Sequence, residues 1–151
     1  MINIEKFIKD YTQKDKSKID IKIENEQDIN RDFRDSVSRE LTDKQIGSLE
    51  LIRDIYFIEG KYCKFAWGST YFLNPLAELF LRKGGAEVVD EFFDVKDISF
   101  DTSCAIDAYG LKLEELEKIL QGLKEIKQKE PDRKNIDFNI GYFEDKIKEK
   151  K

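Results

Sequence analysis

The 151-residue chain contains no histidine. That absence removes the commonest general base, the commonest metal ligand and every Ser-His or Cys-His nucleophilic pair. Cysteine is scarce too: Cys63 and Cys104 lie far apart in sequence and form no Cys-x-x-Cys pair, so no metal site and no cofactor are expected. Long apolar runs are also missing. The most apolar stretch, residues 65–81, is interrupted by Ser69, Thr70, Asn74, Pro75 and Glu78. It falls short of the roughly 20 apolar residues that a membrane span requires. Residues 1–10 place charges where a secretory signal would carry its apolar core. The expectation is a cytoplasmic protein with both thiols reduced and no membrane partner.

What the chain does contain is 40% hydrophobic residues, including 18 isoleucines and 11 phenylalanines. This is enough material for a single domain over residues 1–151 with a real core. Apolar residues at Ile4, Phe7, Ile8 and Tyr11 predict a short helix over 3–14. Residues 18–24 alternate, with Ile19, Ile21 and Ile23 on one face, as a half-buried strand does. Ile29, Phe33, Val37 and Leu41 predict a helix that ends before Thr42-Asp-Lys-Gln45, a capping-box pattern opening the next helix, which runs to a stop at Gly60. Residues 61–73, rich in aromatics, read as a strand or extended segment and a turn.

Asn74-Pro75 marks the start of a helix ending at Gly84, and Val88/Phe92 with Val89/Phe93 predict another over 86–94. Residues 97–107 alternate with Ile98, Phe100, Thr102, Cys104 and Ile106 on one face, and form the strongest expected strand. A wide stripe from Leu113 to Ile126 predicts a helix over 111–128, closed by Glu130-Pro131. Ile136, Phe138, Ile140 and Tyr142 predict a last strand, followed by a frayed charged tail over 144–151. Together these elements imply an α+β fold: a small, mainly antiparallel sheet of three to four strands with helices packed on one face.

The net charge of −5 is unevenly placed, because residues 84–117 carry −8 and residues 118–151 carry +3. Glu87, Asp90, Glu91 and Asp94 share one helical stripe, and Asp97, Asp101 and Asp107 share the polar face of the expected strand. A run of carboxylates is often no more than a solvated face. A focused negative field also steers a basic protein partner and argues against direct binding of nucleic acid. Within the cluster Tyr62, Phe65, Trp67, Tyr71 and Phe72, most rings suit a core, while Trp67 and Tyr71 are the best candidates for interface anchors.

Other motifs fail on register. Asn135, Asp137, Asn139 and Gly141 place the glycine one position late for a calcium loop, and Lys83-Gly84-Gly85 lacks the upstream glycine of a phosphate loop. The helix expected over 42–59 offers only Lys44 and Arg53 against four acids, which does not suit a DNA-reading helix.

The profile of a small acidic domain without catalytic machinery is similar in kind to the toxin-neutralising immunity proteins of bacteria. That resemblance implies an inhibitor whose acidic surface occludes the substrate groove of a basic toxin, a nuclease above all. Two alternatives remain open on the residues. One is a phage-encoded inhibitor whose carboxylates imitate nucleic-acid phosphates. The other is a small enzyme or ligand-binding module with a pocket near Trp67 and Glu78 or Asp101 as its polar group.

Overall fold

The structure, a computed structural model, describes residues 2–151. Eight helices build it: α1 (Ile4–Asp10), α2 (Arg31–Lys44), α3 (Leu49–Ala66), α4 (Leu73–Gly84), α5 (Val89–Lys96), α6 (Phe100–Ala105), α7 (Leu113–Lys129) and α8 (Ile136–Lys150). Strands are confined to a two-residue ladder, β1 (Ile23–Glu24) against β2 (Gln27–Asp28). Together with two 3-10 segments, Gln13–Lys18 and Gly85–Val88, helix accounts for 71% and strand for 3%, so the fold is all-helical and the expected three-to-four-stranded α+β sheet is corrected.

Each strand expectation fails for a local reason. In residues 97–107, the Ser99 hydroxyl accepts from the Thr102 N–H at 3.2 Å while the Thr102 hydroxyl accepts from the Ser99 N–H at 2.9 Å. This reciprocal cap nucleates α6 in place of a strand. Phe100 and Cys104 are exposed, although the expected strand placed them with Thr102 and Ile106 on its buried face.

In residues 136–142 the buried set continues as Ile136, Ile140, Phe143 and Ile147, which is helical spacing along α8. Residues 144–150 are therefore the last turns of that helix, held by Phe143 and Ile147. In residues 18–24 only Ile23 and Glu24 pair, because Asn25 and Glu26, both at positive φ, turn the chain back at once.

Residues 61–66 extend α3 past Gly60. A Cβ on Gly60 would lie 2.5 Å from Val95 Cγ1 and 3.0 Å from Ile98 Cδ1, so the glycine is there to let α5 approach α3. Thr42 lies inside α2, its hydroxyl bonded to the Ser38 carbonyl at 2.8 Å. Gln45, at φ 55°, ends that helix, and Ser48 rather than Thr42 caps α3.

The core is one hydrophobic cluster drawing on side chains from α1 to α8. α3 is central, with Leu51, Ile52, Ile55 and Tyr56 fully buried. Burial of each of these side chains contributes about 1.5–3 kcal/mol. The Tyr56 hydroxyl donates to the Phe92 carbonyl at 2.9 Å, and the Phe93 and Tyr142 rings meet edge to face at 5.0 Å, joining α5 to α3 and α8.

Candidate protein-binding surface

Three contacts set α5 beside α3 in the same direction. Arg53 grips Glu91 with two bonds, at 2.6 and 3.2 Å, Tyr56 meets Phe92, and Gly60 meets Val95. Continuing the register, Asp101 at the start of α6 lies close enough to Cys63 for its charge to act on that thiol. The acids from Glu91 to Asp101 thus follow α3 toward its C-terminal end.

The seven acids singled out in sequence do not share one surface. Asp90 accepts from Asn139 at 2.8 Å and Arg133 at 3.1 Å, facing α8 and the segment that precedes it. Glu91 is held by Arg53. Asp107 is bound by the Tyr142 hydroxyl at 2.8 Å and Lys146 at 2.9 Å. Burial would raise the Asp107 pKa, but these two donors outweigh it and hold the carboxyl below its ordinary value.

Glu87 lies in the 3-10 turn before α5, where with Glu115 and Glu125 it lines a groove against α7, away from the rest. Only Asp94, Asp97 and Asp101 follow the α3 edge without a hydrogen bond or ion pair of their side chains among the described residues. Part-burial and the charges of Asp90, Glu91 and Asp97 push the Asp94 carboxyl above the usual range, which is the electrostatic cost of leaving this edge uncompensated.

The edge leads to an aromatic end. Trp67 is 91% exposed, Tyr71 83% and Phe100 82%, whereas Tyr62 and Phe72 from the same cluster are buried. Trp67 caps α3 in the left-handed region at φ 59°, its N–H bonded to the Cys63 carbonyl, and so the ring is turned outward. Phe100 follows from the α6 cap, which leaves the first residue of that helix in solvent.

The loop between α3 and α4 is anchored from beneath. The Thr70 hydroxyl donates to Glu59 Oε2 at 2.5 Å, and Glu59 Oε1 accepts from Arg34 Nε at 2.9 Å. The Arg34 guanidinium also donates to Asp28 at 2.7 Å and to the Ile19 carbonyl at 3.1 Å. Arg34, Asp28 and Glu59 have side chains essentially without solvent contact. Such a network joins the hairpin, α2, α3 and the aromatic loop into one rigid base, and breaking it strands a buried charge.

Sequence reasoning missed this network and missed Phe100. A signal for the network was present: Glu59 follows Ile52, Ile55 and Tyr56 on the apolar stripe of α3, where an acid needs a cation, and Arg34 falls on the α2 stripe with Val37 and Leu41.

Two grooves flank the aromatic loop, of about 400 and 600 Å³, and both have Arg31 and Tyr62 in their walls. Neither Glu78 nor Asp101 lines them. Glu78 instead packs over Gly110 and bonds Asn74 at 3.1 Å, so the pocket near Trp67 lacks the polar group expected for it.

Both cysteines are free, and burial pushes the Cys63 thiol up. Among the described residues no cluster of acids and cysteines is arranged to hold a metal ion, and no helix is long and apolar enough to cross a membrane. Comparison with protein-family models, curated proteins and solved structures gives no match to this chain.

Proposed function

We propose that the chain is an inhibitor-type binding protein that docks a basic protein partner. Its contact surface is the edge Asp94, Asp97 and Asp101 together with the rings of Trp67, Tyr71 and Phe100. The observation that carries this reading is the exposure of three large aromatic side chains, of which Phe100 directly precedes Asp101, in a fold that leaves Asp94, Asp97 and Asp101 without cations among the described residues. Aromatic anchors supply desolvated contact area, and unpaired acids steer a cationic surface toward them. In the immunity-type reading the partner is a toxin with a basic substrate groove, a nuclease above all, and the acidic edge covers that groove.

The internal pairing of Asp90, Glu91 and Asp107 weighs against mimicry of a nucleic-acid backbone, which needs an unbroken series of free charges. The deciding experiment is capture of partners from native lysate on the immobilised protein, with Asp94→Asn/Asp97→Asn/Asp101→Asn and Trp67→Ala/Tyr71→Ala as controls. A basic protein retained at low salt, released by about 0.5 M salt and lost with either variant supports the reading. Equal capture by the acid variant, or no capture of a basic protein, overturns it.

A further inference from the structure

We propose that the grooves flanking Tyr62 receive an arginine side chain of the basic partner, and that Arg31 is the internal guanidinium which this side chain displaces. The inference rests on the basic-partner reading above and names the chemistry of its contact. Two arginines approach the Tyr62 ring, Arg31 at 5.0 Å and Arg34 at 5.1 Å from its centroid, and they are held very differently. Arg34 is buried, with carboxylates at 2.7 and 2.9 Å. Arg31 is half-exposed, and its one carboxylate, Asp35, stands 3.8 Å away, at the outer limit of an ion pair. Arg31 is a loosely held occupant of a seat that already fits a guanidinium.

Arg31 also forms, with Tyr62, the wall common to both grooves, so its departure joins them. The carboxylates lining the joined groove are Glu26, Asp28, Asp32 and Asp35; Asp28 is taken by Arg34, while Glu26 and Asp32 have no side-chain cation among the described residues. Phe65 and Tyr71 stand at the rim and offer further ring faces. A guanidinium suits this arrangement better than an ammonium, because it stacks flat on an aromatic ring while presenting a planar fork of donors to the acids.

Trp67 reports on the site. It is the chain's one tryptophan, and its neighbours Ala66 and Gly68 line the smaller groove. The test is a fluorescence titration with a blocked peptide carrying two arginines and with its lysine and glutamate counterparts. The expected result is saturable binding of the arginine peptide, about threefold weaker binding of the lysine peptide and none of the glutamate peptide. Arg31→Ala should bind the arginine peptide about threefold more tightly, since it removes the internal competitor. Glu26→Gln/Asp32→Asn, both at exposed positions, should bind it about fivefold more weakly.

Weaker binding by Arg31→Ala, or no saturation by the arginine peptide with either protein, overturns the proposal. Asp94→Asn/Asp97→Asn/Asp101→Asn should leave the peptide titration within about twofold, because these acids lie outside the grooves. Captured basic partner without a peptide response therefore defeats the groove alone, and a peptide response without capture defeats the partner reading alone.

Discussion

Two sets of carboxylates in this molecule differ in what the fold does with them. Asp28 and Glu59 are buried around Arg34, and Asp90, Glu91 and Asp107 are each bound by a cation from another part of the chain. Asp94 and Asp97, within two turns of Asp90 and Glu91, and Asp101 in α6 receive none among the described residues. The first set contributes to stability and leaves little charge at the surface. The second is available to a partner and contributes repulsion, which adds to part-burial in raising the Asp94 carboxyl above its ordinary value. A charge run in sequence therefore overstates a field: four of the acids in residues 84–117 are paired with Arg53, Arg82, Arg133 and Lys146, none of which lies within that segment.

If the two sets differ in this way, their substitutions should separate in size. Glu59→Ala should be the most damaging, destabilising by about 3–5 kcal/mol in chemical denaturation, because it leaves Arg34 buried with half its counter-charge and frees Thr70. A loss below about 1 kcal/mol would mean that water or a shifted Asp28 replaces it.

Asp107→Asn should cost about 1 kcal/mol at neutral pH. The folded carboxyl lies below its unfolded value, so the stabilisation is full above the ordinary Asp pKa and is lost as pH falls through the folded one. The difference in Tm between the variant and the parent should therefore shrink in acid. Glu91→Gln should cost about 0.5–1 kcal/mol, since the pair with Arg53 is bidentate but partly exposed.

Asp94→Asn should have the smallest effect and the opposite sign, a gain of up to about 0.5 kcal/mol at neutral pH. Its folded pKa is raised, so the native state disfavours the charged form, and the gain should vanish once the pH drops far enough to protonate the parent. A loss of stability in Asp94→Asn would place that residue with the paired set and break the comparison.

Much of the helical framework was readable along the chain. The stripe over 111–128 became α7, Asn74-Pro75 lies in the first turn of α4, and 86–94 became a 3-10 turn followed by α5. The strands were misread because positions four and eight apart belong to both periods. Ile98, Thr102 and Ile106, or Ile136 and Ile140, satisfy a strand face and a helix face alike, and over so few residues the two periods coincide. The Ser99 and Thr102 cap and the continuation to Phe143 and Ile147 were the discriminating residues. Of the candidate site, Trp67, Tyr71, Asp94, Asp97 and Asp101 were named from sequence; the two rings lie past the C-terminal end of α3, and the acids follow that helix toward it. Glu87, Asp90, Glu91 and Asp107 were named with them and are directed elsewhere.

By itself the sequence determined where most helices form, which faces are apolar and where the acidity is concentrated, because these follow from spacing and local capping within a few residues. Which carboxylates keep their charge at the surface was decided only by tertiary structure. Arg53, Arg133 and Lys146 reach their acids across gaps of 38, 43 and 39 positions. Coulomb attraction depends on distance in space, and that distance is set only by the packing that brings α3, the segment before α8 and α8 itself to Glu91, Asp90 and Asp107.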